Sequence, residues 1–227
     1  MTEDLDPWLR PAWDRTALLI IDTQVDFLDG GASPIAGTRQ VLPAITRLAT
    51  AFRAAHRPIV HVVRLYDGAD VDLPRRTLLD SGAPIVRPGT PGSQLAPQLR
   101  APAAPPLDPD ELLGGGFQQL GPAEWAMWKP RWGAFYRTGL DPFLRDLPVS
   151  TLVLAGCNFP NCPRATLVEA SERDYQVVIA ADAISGLQPW HLPEAENIGV
   201  LPATTATITA NVQSGEQADV SSARPVR

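Results

Sequence analysis

A chain of 227 residues can bury one sizeable core, and 44% hydrophobic residues suit a globular protein. A formal net charge of −6 argues against nucleic acid or an anionic membrane surface as a partner. No apolar run reaches membrane-spanning length and the start, MTEDLDPWLR, has no signal-peptide pattern, so a reducing cytoplasm is the expected setting.

The chain opens with a polar lead-in over residues 1–15 that carries Pro and Trp. Residues 16–21 (TALLII) then read as a buried strand that runs into Asp22. In open α/β sheets chemistry collects at the carboxyl ends of strands, which makes Asp22 a candidate; a plain turn or cap is the other reading. In the following loop Phe27 is apolar and suits either a pocket wall or an anchor. Residues 39–56 place Val41, Leu42, Ile45, Leu48, Ala49 and Phe52 at helical spacing. Residues 58–64 (PIVHVVR) predict a second strand, with His61 as a core histidine.

Residues 66–120 form an irregular insertion, expected to serve as a lid or a subunit contact. It contains Tyr66, the pair Arg75 and Arg76, and a Pro-rich run at 101–109. The arginines read either as a solvated pair or as a site for an anionic group. AEWAMWK at 123–129 predicts a strand ending at Lys129, which Trp128, Pro130 and Trp132 hem in. Residues 140–147 suit a short helix.

Residues 151–155 (TLVLA) predict another strand, stopped by Gly156, and a helical pattern starts after Pro163. Cys162 therefore opens a helix, where unpaired N–H groups and the helix dipole favour a thiolate. It reads as a nucleophile or as a buried apolar thiol, and local geometry leaves both open. Residues 176–183 predict a strand, 193–197 a short helix and 198–201 a last strand. Past Ala203 there is no hydrophobic periodicity, and residues 213–227 are expected to form a disordered tail.

This alternation implies an α/β fold: a three-layer α/β/α sandwich on a mostly parallel sheet, with one domain over residues 16–212. Asp22, Lys129 and Cys162 each follow a strand, and their convergence weighs more than any one of them. The two cysteines, Cys157 and Cys162, have C-x4-C spacing, and His56, His61 and His191 are scattered. Neither pattern suits a metal, and no cofactor is expected.

Four segments resemble the isochorismatase-like cysteine hydrolases, a Rossmann-like family that includes nicotinamidases, N-carbamoylsarcosine amidohydrolases, streptothricin hydrolases and isochorismatases. They are DTQVDF at 22–27, RPGTPGSQLAPQL at 87–99, KPRWGAF at 129–135 and AGCNFPNCPRATLVEASERDY at 155–175. The resemblance implies a catalytic set of Asp22, Lys129 and Cys162, with a cis peptide between Cys157 and Asn158. It further implies an oxyanion hole made by the backbone N–H groups of Asn158 and Cys162. The expected substrate is a small amide, N-carbamoyl compound or lactam, held in an apolar pocket of Phe27, Tyr66, Trp128, Trp132 and Phe159. Homo-oligomers, dimers or tetramers, are common in the family. The sequence departs from it in two places. F-P-N-C replaces the usual acidic run before the nucleophile, and the histidine-rich metal motif of nicotinamidases is missing. Two rival readings are a vinyl ether hydrolase that uses Asp22 as its acid, and a non-enzymatic oligomeric binding protein.

Overall fold

In the computed structural model, which describes residues 6–68 and 70–215, the apolar runs assemble into one seven-stranded sheet. The strands are β1 (Thr16–Ile21), β2 (Ile59–Val63), β3 (Phe117–Gly121), β4 (Glu124–Trp128), β5 (Thr151–Gly156), β6 (Gln176–Ile184) and β7 (Val200–Ala203). Their order is β3-β4-β2-β1-β5-β6-β7, with all pairs parallel except β3 with β4. The helices are α1 (Thr38–Ala54), α2 (Leu73–Asp80), α3 (Pro109–Leu113), α4 (Leu140–Asp146), α5 (Cys162–Ser171), α6 (His191–Glu196) and α7 (Thr205–Ser214).

The central strands are apolar on both faces because both faces are covered. Leu18, Ile20, Val153, Ala155 and Val178 pack with α1 and α7. Leu19, Ile21, Leu152, Leu154 and Val177 pack on the opposite side with α4, α5 and α6. This is the three-layer arrangement that the alternation of elements predicts. His61 lies buried inside β2, with Nε2 2.6 Å from Glu124 Oε1 in a cluster that Arg53 completes. The lead-in is stitched to the domain through Trp13, which is buried, and through Ala12 N–H donating to Thr151 Oγ1 at 2.9 Å.

Two expectations need correction. Residues 66–120 are not irregular throughout: they contain α2, α3 and β3. β3 (FQQLG) has no apolar run because it is an edge strand, paired on one side with β4. Residues past Ala203 form α7, held by Ile208 and Val212 on its inner face. Asp182 Oδ1 accepts the N–H of Thr205 at 2.7 Å and so anchors the start of that helix. Residues 213–214 finish α7, and 216–227 of the expected tail lie outside the described residues.

β5 ends at Gly156 with φ +121°, a region that L side chains rarely adopt. A Cβ there would overlap the Ile21 carbonyl oxygen. Gly156→Ala is therefore expected to lower stability by about 2 kcal/mol or more. Chemical denaturation measures this, and a change under 0.5 kcal/mol would contradict the close approach.

Candidate active site

The sheet order explains how residues far apart in sequence meet. β1 is central, β5 lies on one side of it, and β2 then β4 lie on the other. The chain reverses its direction of winding at β1 and β5, where open α/β sheets form their crevice. Asp22 leaves the end of β1, and its N–H donates to Val62 O at 2.9 Å. Lys129 follows β4, and its N–H donates to Val63 O at 3.1 Å. Cys162 is the first residue of α5, after a short turn from β5. The Cys157–Asn158 peptide in that turn is cis.

Lys129 is 0% exposed. Its Nζ donates to Asp22 Oδ2 at 2.9 Å and to the Arg131 carbonyl at 3.2 Å. Asp22 is itself 3% exposed, and its other oxygen, Oδ1, has no hydrogen-bond partner among the described residues. The lysine thus neutralises the carboxylate from one side and leaves the second oxygen uncommitted. Asp22 has φ +51°, and Cys157 Sγ donates to its carbonyl at 2.9 Å. Burial pushes the Cys157 thiol well above its ordinary range.

Cys162 is 7% exposed. Burial and the neighbouring Asp22 carboxylate push its thiol up to about 11, against the opposing pull of Lys129 and Arg64. Burial and Asp22 thus act against the thiolate that Lys129 and Arg64 favour. A thiol raised in this way calls for a neighbouring base to take its proton as it attacks. Iodoacetamide modification of Cys162 should accordingly accelerate about tenfold per pH unit between pH 7 and 10. A rate that levels off below pH 8 would show a preformed thiolate.

Arg64, which sequence reading passed over as the end of a strand, lies at the same edge. β2 sits between β4 and β1, so its last residues emerge between Lys129 and Asp22. Arg64 Nη2 is 3.9 Å from Cys162 Sγ and 2.9 Å from Asp72 Oδ2. Tyr66 Oη donates to the same Asp72 oxygen at 3.4 Å. The Asp22 carboxylate, with that of Asp72, favours the Arg64 cation strongly enough to overcome its burial.

These groups open onto a cavity of about 230 Å³. Phe27, Tyr66 and Trp132 line it, together with Asn158 and Cys162. Trp128 and Phe159 do not line it. Trp128 precedes Lys129 on a strand, so its side chain points to the other face, where Nε1 donates to Leu65 O at 3.1 Å. Phe159 is buried in the core with its ring 4.7 Å from that of His191. The wall is also more polar than expected: Arg64, Asp72, Arg75 and Asn161 all contribute to it. Among the described residues no group of three or more His, Cys, Asp or Glu is placed to hold a metal ion.

Residues 16–210 match the family model of the isochorismatase domain. The chain belongs to the isochorismatase family. It is 31% identical over 198 residues to an Arabidopsis thaliana protein named "probable inactive nicotinamidase", covering 83% of this chain and 91% of the relative. It is 29% identical over 201 residues to the ureidoacrylate amidohydrolase RutB of Methylobacterium radiotolerans, covering 82% of this chain and 72% of the relative. The crystal structure of an isochorismatase family protein from Desulfovibrio vulgaris superposes with a TM-score of 0.71 at 30% identity, covering 86% of this chain and 97% of the other.

Membership in the family gives the DTQVDF segment a physical reading. Gln24 Nε2 donates to Arg64 O at 2.8 Å and to Ser93 O at 2.6 Å, while its Oε1 accepts the Arg64 N–H at 2.8 Å. Asp26 accepts Val86 N–H at 2.6 Å and Ala32 N–H at 3.2 Å. These two buried side chains clasp residues 86–93 onto the end of β2. Gly92 in the PGTPGS run is needed because a Cβ there would overlap the Asp26 carboxylate. On the other wall, Thr166 and Glu169 of α5 accept the N–H groups of Ala134 and Phe135, which fixes the loop after Lys129.

Proposed function

We propose that this isochorismatase-family hydrolase cleaves the C–N bond of a small amide, N-carbamoyl compound or lactam through a covalent intermediate on Cys162. One observation carries the reading. Asp22 keeps one carboxylate oxygen on Lys129 and the other without a partner among the described residues, in the same cavity as the Cys162 thiol at a helix start. An acceptor oxygen beside a thiol whose proton must be removed is the arrangement of a general base and its nucleophile. The name of one relative, a ureidoacrylate amidohydrolase, agrees with amide chemistry, whereas the Arabidopsis relative is named a probable inactive nicotinamidase.

In this mechanism Asp22 takes the Cys162 proton as sulfur attacks the carbonyl carbon. The S–C bond forms while the carbonyl π pair moves onto oxygen. The N–H groups of Asn158 and Cys162 face that oxyanion, and one such donor is worth about 3–4 kcal/mol. As first residue of α5, Cys162 has an N–H without an intrahelical acceptor. Asp22 then gives its proton to the nitrogen, the C–N bond breaks, and ammonia or an amine leaves. Water loses a proton to Asp22, its oxygen attacks the thioester, and the released sulfur takes the proton back. Lys129 stays charged throughout and holds Asp22 in place. Arg64 offers a second positive charge while sulfur is anionic, and Asp72 fixes its position.

The test is ammonia release from a panel of primary amides, N-carbamoyl acids and lactams, by the wild type and by variants of Cys162 and Asp22. A vinyl ether hydrolase needs Asp22 and survives loss of the thiol. A binding protein turns over nothing on the panel.

A further inference from the structure

Outside the mouth of the cavity lies a second concavity, a groove of about 440 Å³. The two spaces adjoin, since Asp72, Pro74 and Trp132 line both. Three large apolar side chains mark the groove: Leu73, Trp132 and Tyr136 are 74%, 42% and 48% exposed. Single exposed apolar residues are ordinary, but three on one groove form a patch of the kind that receives a ligand or a partner. The mechanism above uses neither Leu73 nor Tyr136.

The charged groups at the groove already have partners. Asp72 pairs with Arg64 at 2.9 Å. Arg131 donates to Asp70 Oδ1 at 2.6 Å and to the Pro130 carbonyl at 2.8 Å. Glu169 Oε2 accepts the Phe135 N–H at 2.9 Å. A charged occupant would lose hydration here without gaining a free counter-charge, whereas an uncharged apolar one covers exposed apolar surface. The groove is also preformed. Thr166 and Glu169 hold the loop that carries Trp132 and Tyr136, and a Cβ on Gly133 would overlap the Glu169 carboxylate.

The inner cavity is small. At about 30 Å³ for each water, 230 Å³ holds roughly eight water molecules, the bulk of a compound with about eight to ten non-hydrogen atoms. A larger substrate with its amide at Cys162 extends past Trp132 into the groove. A second copy of the chain seated there would cover the mouth through which substrate arrives, so the shared wall favours the substrate itself as occupant.

Resting on the amidohydrolase reading, we propose that the substrate carries a bulky, uncharged apolar group joined by a short spacer to the scissile amide, and that this group lies on Leu73, Trp132 and Tyr136 outside the catalytic cavity. The two aromatic faces suit a ring in particular.

The test compares 5-phenylpentanamide with pentanamide, which has the same amide and spacer but no ring. The wild type is expected to prefer the phenyl compound about thirtyfold or more in kcat/KM. Leu73→Ser combined with Tyr136→Ser should remove at least tenfold of that preference through KM, and leave pentanamide turnover within about twofold. Tyr136→Phe should keep the preference, because it keeps the ring. Calorimetry should show 5-phenylpentanamide bound to Cys162→Ala, and the two serine substitutions should weaken that binding at least tenfold. Equal use of both amides, or a preference that survives the serine substitutions, overturns the outer subsite. So does a wild-type oligomer that the serine substitutions split while both amides are used equally, since the groove then belongs to a second copy. If Cys162-dependent ammonia release persists in either case, the amidohydrolase reading stands without the subsite. Binding of 5-phenylpentanamide through Leu73 and Tyr136, with no ammonia from any amide, supports the subsite and overturns the amidohydrolase reading.

Discussion

Cys162→Ala is expected to reduce ammonia release from every amide substrate by about ten-thousand-fold or more, while the protein stays folded. Residues that act as one catalytic unit each cost nearly the full effect of removing the unit. The fold should tolerate the change, because the substitution removes one sulfur from a site at the cavity wall and leaves the Asp22–Lys129 pair intact. Asp22→Asn should cost as much, since the amide cannot take the thiol proton. The pair of variants separates chemistries. If Cys162→Ala retains hydrolysis of a vinyl ether that Asp22→Asn loses, the reaction is acid catalysis at Asp22 and the covalent scheme is wrong.

Lys129→Met should lose activity to a similar extent and, unlike Cys162→Ala, should also destabilise the fold. Lys129 is fully buried and its Nζ is 2.9 Å from Asp22 Oδ2. Removing one partner of a buried ion pair leaves an uncompensated charge and typically costs 3–5 kcal/mol. The double variant Asp22→Asn with Lys129→Met should regain most of that stability, because no lone buried charge remains, and should stay inactive. A denaturation cycle over the four proteins measures the coupling. Additive losses would mean that the two side chains do not depend on each other, contrary to the contact at the base of the site.

The sheet and the edge that bears the candidate site were legible because they rest on local signals. Buried parallel strands are apolar runs, and Asp22 and Lys129 each stand at the first polar position after one. The covering helix α1 has clear periodicity. β3 was not legible, since an edge strand with one covered partner needs no apolar run and Gln118 and Gln119 break the pattern. The amphipathic signal of α7 is weak for a similar reason: two residues, Ile208 and Val212, carry much of its contact with the core.

Side-chain direction was the main limit at the site. Trp128 and Phe159 adjoin Lys129 and Asn158 in sequence, and adjacency suggested a shared pocket. Strand alternation turns Trp128 to the opposite face, and the turn before α5 drives Phe159 into the core. Arg64 and Asp72 were missed for the converse reason. Arg64 looked like the polar end of a strand, and only the order β4-β2-β1 shows that this strand lies between the ones bearing Lys129 and Asp22. Asp72 stands at the cavity through its ion pair with Arg64 at 2.9 Å, a contact between the end of β2 and the start of α2 that no local pattern encodes. The balance at Cys162 was also a question of magnitude. Lys129 and Arg64 favour thiolate, but burial and the Asp22 anion together exceed them.

The most direct test of the account is to trap the intermediate. Wild-type protein mixed with succinamate, N-carbamoylglycine or nicotinamide is quenched in acid within one turnover, digested, and weighed by mass spectrometry. The account predicts that the peptide containing Cys162 gains the acyl or carbamoyl group of the compound that releases ammonia, with no adduct in Cys162→Ala. Adding hydroxylamine should divert the same group to a hydroxamate or hydroxyurea. Ammonia release at the normal rate with an unmodified Cys162 peptide and no hydroxylamine product would contradict covalent catalysis by this cysteine.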